Sequence, residues 1–342
     1  MKLLIVSDSV RYSTYDVYNG YLDGFTRLGI PCEPFDMPNL LDYYSAENTM
    51  ALLIAKAVIK DNGFTHVLFV AGTMIPEFVL RTLHYNGLKL GFIATDDPHS
   101  SKMLLANKKY IDYYFTCEKA LEDYSQQIYY VPTAAAHWHV EAKYEQDDAY
   151  KSDVCFIGSV YPNRVKPLEN AIKWCVENKK KPLILGPIQG RTSYGELFVP
   201  EDSVIHTVGK HMIVENEDAR KYYANANVVI NMDRQTDWSP AFLNGNPHNV
   251  EVEAYSCNPR IYEVAATKSL QLYIEPRAEA QDLFGDNIYT CSTKDIGKTL
   301  DRIFKTSPLV LKQKIKKCYS IVKKYHTYFH RASSVFNHLV KR

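Results

Sequence analysis

Short, continuous apolar runs alternate along the whole chain with longer stretches of helical periodicity, such as Tyr15–Leu28 and Asn48–Lys60. In the first half these runs lie at Leu3–Ser7, His66–Ala71, Leu90–Thr95, Tyr113–Cys117 and Ile128–Pro132. In the second half they lie at Asp153–Gly158, Leu183–Gly186, Val204–Val208, Val228–Met232, Leu270–Ile274 and Asn287–Cys291. Apolar runs that do not alternate with polar residues are typical of parallel strands covered on both faces. The pattern therefore predicts doubly wound α/β units.

The chain has 342 residues, more than one ordinary hydrophobic core supports, so two domains are expected. The stretch 141–152 is polar and has no apolar period, which favours a linker there. We predict Rossmann-like domains over residues 1–145 and 150–315, facing a cleft into which the carboxyl ends of their strands open. Residues 316–342 are predicted to form terminal helices that pack back on the N-terminal domain.

The segment 259–266 has the features of a helix N-terminus that binds an anion. Asn258 is a good N-cap, and Pro259 falls at the first helical position. Arg260 and Glu263 are three residues apart and share one helix face. A cation at a helix N-terminus is favourable only when an anion binds beside it, and the carboxylate one turn later can accept hydrogen bonds from two sugar hydroxyls. A ligand with a diphosphate next to a polyol is a nucleotide sugar. The alternative interpretation of Arg260 and Glu263 is a surface salt bridge on an ordinary helix.

Three predicted strands of the second half end in residues suited to the same ligand. Gly158 and Ser159 close the first of them, where small residues leave backbone N–H groups open to a diphosphate, and Arg164 follows as a further phosphate donor. Gly186 ends the next strand in a turn of the kind that holds a nucleobase through backbone contacts. Asn231 ends a third strand and could reach the sugar or the diphosphate. The alternatives are plain strand-to-helix turns, with Arg164 in solvent.

A strand of the first half is followed by the polar residues Asp96, Asp97 and His99. Asp96 or His99 could accept a proton from an acceptor hydroxyl, and Asp97 could do the same. The other interpretation of Asp97 is a cap on a helix that begins at Pro98. The segment is not a metal-binding Asp-x-Asp motif, because proline follows at once and no third ligand is near.

Composition excludes several classes of protein. The formal net charge is +1, so no global field draws the chain to nucleic acid or to an anionic membrane. No apolar run is long enough to span a bilayer, and the N-terminus is interpreted as a first strand rather than a signal peptide. The seven cysteines are scattered, without a Cys-x-x-Cys pair, which favours reduced thiols in the cytoplasm over disulfides or a zinc site.

Lysines and aromatic residues are interleaved near the C-terminus. The lysines are Lys312, Lys314, Lys316, Lys317, Lys323 and Lys324, and the aromatic residues are Tyr319, Tyr325, Tyr328 and Phe329. Such a segment could be a surface for nucleic acid. An amphipathic terminal helix with a solvated lysine face is the favoured interpretation.

Several segments, in order and correctly spaced over about residues 90–335, together resemble one family, the spore-maturation CgeB-like glycosyltransferases of the group 1 type. The segments are Thr95–His99, Tyr113–Lys119, Tyr130–Ala135, Asp153–Arg164, Pro259–Glu263 and His326–Tyr328 with Arg331. The first 85 residues resemble the family only as a Rossmann-like start.

The resemblance implies the two-domain GT-B architecture and a glycosyltransferase activity that needs no metal and no cofactor. It places a nucleotide-diphosphate sugar, with UDP as the expected nucleotide, mainly on the C-terminal domain, and the acceptor on the N-terminal one. Glu263 matches the family carboxylate on the ribose hydroxyls, while Arg260 and Arg164 would neutralise the leaving diphosphate. Lys268 stands where the family usually has glycine, so it must avoid positive φ, accept strain or reach the phosphates itself.

Several questions stay open at this point. The acceptor could be a small metabolite, a glycan, a protein or a modified DNA base, and the oligomeric state is not predicted. The reaction could invert the anomeric centre, with Asp96, Asp97 or His99 as base, or retain it without any of them. A nucleotide-sugar epimerase and a catalytically inactive nucleotide-sugar-binding module are the alternative functions.

Overall fold

The computed structural model describes residues 1–7, 11–188, 190–192, 195–197, 199–234 and 252–341. The chain divides into two compact units. Unit 1 is built mainly from Met1–Ala136 and the C-terminal stretch that begins at Thr327. Unit 2 is built mainly from the stretch that begins at His137 and ends at His326.

Strands and helices alternate along most of the chain. The strands are β1 (Leu3–Ser7), β2 (Cys32–Asp36), β3 (His66–Val70), β4 (Lys89–Ile93), β5 (Tyr113–Thr116), β6 (Ile128–Tyr130), β7 (Ser152–Ile157), β8 (Pro182–Gly186), β9 (Gly190–Thr192), β10 (Gly195–Leu197), β11 (Gly209–His211), β12 (Ala226–Asn231), β13 (Gln271–Ile274) and β14 (Tyr289–Cys291). The helices are α1 (Arg11–Arg27), α2 (Met37–Leu41), α3 (Ala46–Val58), α4 (Glu77–Tyr85), α5 (Ser101–Leu105), α6 (His137–Glu141), α7 (Pro162–Glu177), α8 (Ile205–Val208), α9 (Asn216–Ala224), α10 (Arg260–Ala266), α11 (Ala278–Phe284), α12 (Ile296–Lys305), α13 (Pro308–Tyr325) and α14 (Tyr328–Val340).

Unit 1 contains a parallel sheet with the strand order β2-β1-β3-β4-β5-β6. Its central strands are buried along almost their whole length, as their continuous apolar sequences predict. The edge strand β2 was not predicted from the sequence. Its sequence, Cys-Glu-Pro-Phe-Asp, is half polar and contains Pro34, which a parallel sheet tolerates at an edge where one side of the strand has no partner.

The C-terminal helix α14 completes unit 1 by packing against α1. A Cβ atom built on Gly20 would lie 2.3 Å from Cδ2 of Tyr328, and one built on Gly24 would lie 2.8 Å from Cβ of Ala332. The two glycines, one turn apart, thus let the helix backbones approach closely. Arg331 of α14 is buried and donates hydrogen bonds from Nε to the carbonyls of Pro132 and Thr133, at 2.9 and 3.2 Å.

Unit 2 contains a second parallel sheet, with the order β11-β8-β7-β12-β13-β14. Counted within the unit this is the order 3-2-1-4-5-6 of a dinucleotide-binding Rossmann fold. The topological switch point, where the strand order reverses, lies between β7 and β12, which pair directly. Both sheets agree with the predicted doubly wound α/β fold.

One strand prediction is wrong. Residues 204–208 were predicted as a strand, but Ile205–Val208 form the short helix α8, and the strand β11 begins at Gly209. A five-residue apolar run does not distinguish a strand from a buried helical turn. Among the described residues, no helix has both the length and the apolarity that crossing a bilayer requires.

Candidate functional site

The topological switch point of unit 2 brings together three of the predicted segments. Gly158 and Ser159 follow β7, and Asn231 is the last residue of β12. Asn258 and Arg260, at the start of α10, contact Asn231. Ligands of doubly wound sheets bind at the carboxyl ends of strands at such a point, so the topology independently marks these residues as a site.

Gly158 and Gly186 lie back to back at the ends of neighbouring strands. Their φ angles are +146° and +143°. A Cβ on Gly186 would lie 2.2 Å from the carbonyl oxygen of Gly158, and a Cβ on Gly158 would lie 2.5 Å from Nη2 of Arg260. The N–H of Gly158 donates to the carbonyl of Leu185 at 2.8 Å, so the prediction that this N–H is open to a ligand is wrong. Gly158 instead makes room for Arg260, and Gly186 makes room for the backbone of Gly158.

Arg164 is buried, with 6% of its surface exposed, so the alternative of a solvated arginine is excluded. Its Nη1 donates to the carbonyl of Ser159 at 2.9 Å, and its Nη2 donates to the carbonyl of Met232 at 2.8 Å. These two bonds tie the segment after β7 to the segment after β12. In the structure, Arg164 thus holds together the two segments at the topological switch point. Its contact with phosphate stays a prediction.

Arg164, Arg234 and Arg260 form a cluster of guanidinium groups, which we call the arginine cluster. Arg164 and Arg260 both lie over the ring of Phe156, at 5.8 and 5.3 Å, and Arg164 and Arg234 both lie over the ring of Tyr161, at 4.9 and 5.5 Å. Burial, and next the charge of Arg260, lower the pKa of Arg164 to about 9. Arg164 is still a cation at neutral pH, and a bound anion would relieve the repulsion within the cluster.

Asn258 organises the polar side of the site. Its amide Nδ2 donates to Oδ1 of Asn231 at 3.0 Å and to Oδ1 of Asp233 at 2.8 Å, and its Oδ1 accepts from the backbone N–H of Arg260 at 3.0 Å. The helix begins at Arg260 and its N-cap residue is Pro259, so the prediction of Asn258 as N-cap and Pro259 as first helical residue is wrong by one position. The Asn258 side chain still accepts from the backbone N–H of Arg260 and so ties the start of α10 to the end of β12.

Asp233 is a site residue that the sequence prediction missed. Its Oδ1 accepts from the backbone N–H of Asn258 at 3.0 Å, and its Oδ2 accepts from the hydroxyl of Tyr273 and lies 3.6 Å from Nε of Arg277. Asp233 was visible in the sequence as a polar residue directly after a predicted strand. Tyr273 and Arg277 carried no such signal, because a tyrosine in a strand and an arginine before a helix are both ordinary.

Arg260 and Glu263 are both half-buried, so they do not lie on an open surface of the helix. The Nη1 of Arg260 donates to Oδ1 of Asn231 at 3.4 Å. Burial alone would lower the pKa of Arg260, but the hydroxyl of Tyr223 and the carboxylates of Glu263 and Asp233 raise it above its ordinary value. Arg260 is therefore a permanent cation within the arginine cluster, and Glu263 is half-buried one turn further along α10.

Lys268 adopts the positive φ that the family glycine would supply, at +57°. Its side chain is exposed, and its ammonium lies 4.8 Å from the centre of the Tyr319 ring on α13. The described structure thus places Lys268 beside α13 and not in the arginine cluster. The turn keeps the backbone conformation of a glycine at a cost of about 1 kcal/mol.

In unit 1, Asp97 is buried, with 6% of its surface exposed. The hydroxyl of Tyr114 donates to its Oδ1 and Oδ2 at 3.1 and 2.9 Å, and the hydroxyl of Thr116 donates to Oδ2 at 2.7 Å. Asp97 does not cap a helix at Pro98, since α5 begins at Ser101. Asp96 is half-buried, and it is therefore more accessible than Asp97. His99 is buried as well, with 8% of its surface exposed.

Burial raises the pKa of Asp97 from its usual 3.8 to about 6, although Thr116 and Tyr114 partly oppose the shift. The folded protein therefore binds this proton more tightly than the unfolded chain does. We expect the Asp97 contribution to the free energy of unfolding to be complete below about pH 4 and to fall by about 3 kcal/mol as the pH rises past 6. Denaturant unfolding of the parent protein and of Asp97→Asn at several pH values measures this contribution. The difference between their free energies of unfolding should change with pH. A difference that does not vary with pH would contradict the shift.

Among the described residues, no group of three or more His, Cys, Asp or Glu side chains is arranged to hold a metal ion. The seven cysteines are free thiols.

Comparisons with known proteins show which proteins this chain is similar to. A protein-family model described as "Glycosyl transferase-like" matches residues 177–337, which include β12, α10 and α13. The spore protein CgeB of Bacillus subtilis (strain 168) is 26% identical over 243 residues, covering 69% of this chain and 71% of CgeB. These two findings confirm the expected resemblance to CgeB-like group 1 glycosyltransferases.

Solved structures share the fold. An alpha-glucosyltransferase in complex with UDP and a 13-mer DNA containing an HMU base matches with a TM-score of 0.69 and 10% identity, covering 100% of this chain and 99% of that one. The UDP-forming alpha,alpha-trehalose-phosphate synthase of Burkholderia xenovorans, in complex with glucose-6-phosphate, matches with a TM-score of 0.57 and 10% identity, covering 99% and 100%. Both matches extend over the whole chain, and they confirm the two Rossmann-like domains of the GT-B fold.

Proposed function

We propose that this chain, a glycosyltransferase similar to the CgeB-like group 1 enzymes, transfers a sugar from a UDP-sugar to an acceptor hydroxyl. The observation that carries the proposal is the arginine cluster at the topological switch point of unit 2. Three guanidinium groups lie close together there, the carboxylates of Asp233 and Glu263 offset part of their charge, and a bound diphosphate would offset more of it. The two structural neighbours named above support UDP as the nucleotide, since one contains UDP and the other is a UDP-forming enzyme.

In the proposed mechanism the acceptor oxygen forms a bond to the anomeric carbon while the bond from that carbon to the diphosphate breaks. The acceptor proton passes to a base in an inverting reaction or to the leaving phosphate in a retaining one, and negative charge develops on the leaving phosphate. The side chain of Arg260 is held by Oδ1 of Asn231 and donates to this charge, which lowers the barrier without any reorganisation at the moment of reaction. Glu263 accepts hydrogen bonds from the ribose hydroxyls. Arg164 holds the two sides of the site in register. Because guanidinium groups carry the charge, the proposed reaction needs no metal and no cofactor.

The test is nucleotide release. The purified protein is incubated with UDP-glucose, UDP-galactose, UDP-N-acetylglucosamine and a GDP-sugar, and free nucleotide diphosphate is measured. A slow hydrolysis of one UDP-sugar without acceptor is expected of a transferase. An isomerised donor would instead show an epimerase, and tight binding without turnover would show an inactive module. The positive φ of Lys268 preserves the family turn and so speaks against the inactive module.

Glu263→Ala should weaken binding of UDP by roughly 5-fold to 150-fold, because the ribose hydroxyls lose a charged acceptor worth about 1–3 kcal/mol. The comparison with 2′-deoxy-UDP makes the result specific. The parent should prefer UDP over the deoxy nucleotide, and the variant should not distinguish them. Isothermal titration with both nucleotides measures this, and a preference that survives in the variant would assign the ribose to another residue.

For an inverting reaction, Asp96 is the proposed base, because it is more exposed than Asp97, whose oxygens already accept hydrogen bonds from Tyr114 and Thr116. Asp96→Asn should leave the donor dissociation constant unchanged and lower kcat by about 10²-fold or more. His99→Gln and Asp97→Asn are the matched comparisons, and their smaller losses of kcat are expected from changed packing. Full turnover in all three variants would exclude a base in this segment and favour a retaining reaction.

The acceptor classes that fit the proposal are a modified DNA base, a glycan, a protein and a small metabolite, with the N-terminal domain as the acceptor domain. A cytoplasmic location is also part of the proposal, since seven free thiols suit a reducing compartment.

A further inference from the structure

Positive charge is strongly concentrated at the end of the sequence. From Arg302 to the last residue the chain has eleven lysine and arginine residues and no aspartate or glutamate, although the whole protein has a net charge of only +1. Within unit 2 this charge lies mainly on α13, an 18-residue helix with six lysines. Neither the donor site nor the base segment uses this helix.

Five of these lysines share the outer side of α13, and we call them the lysine face. They are Lys312, Lys316, Lys317, Lys323 and Lys324. Between Lys312 and Lys324 the other exposed residues are Gln313 and Ser320, both uncharged. The lysine face extends for about 18 Å along the helix, at 1.5 Å per residue. None of its five members forms an ion pair with any of the residues described here.

The apolar side of α13 is already used inside unit 2. Cys318 and Val322 are buried, and Leu311 and Ile315 pack against the hydrophobic core of the unit. The sixth lysine, Lys314, lies over the ring of Tyr289 at 5.2 Å, and Arg302 of α12 lies over the same ring at 5.0 Å. The positive surface therefore continues from α13 to α12 on a rigid support.

We propose that the lysine face binds the phosphate backbone of nucleic acid. A row of unpaired lysines on a rigid helix neutralises successive phosphates and releases their counterions. An anionic membrane is the weaker alternative, because an interfacial helix inserts an apolar face, whereas α13 buries its apolar side in the protein. The large apolar residues that α13 exposes are Leu309 and Val310 in its first turn, at 67% and 40%, and Tyr325 at its last position, at 52%, so they lie at opposite ends of the helix and form no continuous apolar face. The inference rests on the proposed function and extends it, since it names nucleic acid as the acceptor or as the molecule to which the acceptor group is attached.

The test is binding of a short fluorescent DNA duplex without any donor, followed by anisotropy at increasing salt. If five lysines each neutralise a phosphate, the plot of log K against log salt has a slope of about −4.5. The affinity of the parent should then fall several hundred-fold between about 50 and 200 mM salt. A variant with all five lysines changed to Gln should lose most of this slope and bind at least 100-fold more weakly at low salt.

The control has five exposed lysines elsewhere changed to Gln, namely Lys60, Lys143, Lys166, Lys173 and Lys181, so both variants have the same net charge. The control should bind like the parent, and an equal loss in both variants would overturn the proposal in favour of general electrostatics. Vesicles of phosphatidylglycerol and phosphatidylcholine form a second arm, and lysine-face-dependent binding to vesicles but not to DNA would overturn it in favour of a membrane. UDP-sugar hydrolysis by the same variants should be unchanged, so failure of DNA binding is distinguishable from failure of the proposed function.

Discussion

Arg260→Ala is expected to weaken binding of a UDP-sugar by about 10²-fold and to lower kcat in addition. A hydrogen bond between charged groups contributes about 1.5–3 kcal/mol, and a donor aimed at the developing charge on the leaving phosphate contributes further in the transition state. The side chain is fixed for this role by Asn231 and by the hydroxyl of Tyr223. Titration calorimetry with UDP gives the binding loss, and nucleotide release at saturating donor gives kcat.

Two further variants make the Arg260 result specific. Arg260→Lys keeps the charge but not the planar fork, and it should recover only part of the binding. Arg81→Ala removes an exposed arginine of α4 in unit 1 and should change neither quantity. Equal binding of UDP by Arg260→Ala and the parent would remove the arginine cluster from donor recognition, and with it the proposed mechanism.

Gly186→Ala is expected to destabilise unit 2 by about 3 kcal/mol or more. The added Cβ would meet backbone atoms of Gly158, at 2.2 Å from its oxygen and 2.7 Å from its carbonyl carbon. Such backbone atoms cannot rotate away as a side chain does, so β7 and β8 must separate, and overpacking of this kind costs several kcal/mol. Urea unfolding monitored by circular dichroism measures the loss, because both units contain helices that contribute to this signal.

Gly63→Ala and Gly87→Ala are the matched controls for Gly186→Ala. Both glycines have positive φ, at +66° and +83°, and a Cβ on either would have no atom within 4 Å. They should cost only about 1 kcal/mol, the conformational part of the change. If Gly186→Ala costs no more than these controls, the close approach of the two strand ends has been overestimated.

The sequence predicted the strands of both sheets well where they are central and continuous. β1, β3 and β7 are apolar runs buried on both faces, so their sequences alone carry the signal. β2 was missed because an edge strand is half exposed and tolerates proline, and residues 204–208 were assigned wrongly because a short apolar run suits a buried helical turn equally well.

The candidate site was predicted in part. Asn231, Gly158 and Arg260 were selected because each stands at the end of a strand or the start of a helix, and the structure brings these three together. The hydrogen bond of Arg164 to the carbonyl of Met232 depends on a contact between segments 68 residues apart. No local pattern encodes such a contact, and the same is true of the bonds between Asp233, Tyr273 and Arg277.

The place of α14 in the fold has a consequence for biosynthesis. The N-terminal sheet emerges from the ribosome long before the helix that covers α1, because residues 328–340 follow unit 2 in the sequence. Until then Gly20 and Gly24 leave a shallow apolar groove on α1 exposed to water, since the ring of Tyr328 and the methyl group of Ala332 are what fill it. Unit 1 therefore matures only after unit 2 has been synthesised, and a nascent chain stalled before Thr327 presents that groove to chaperones.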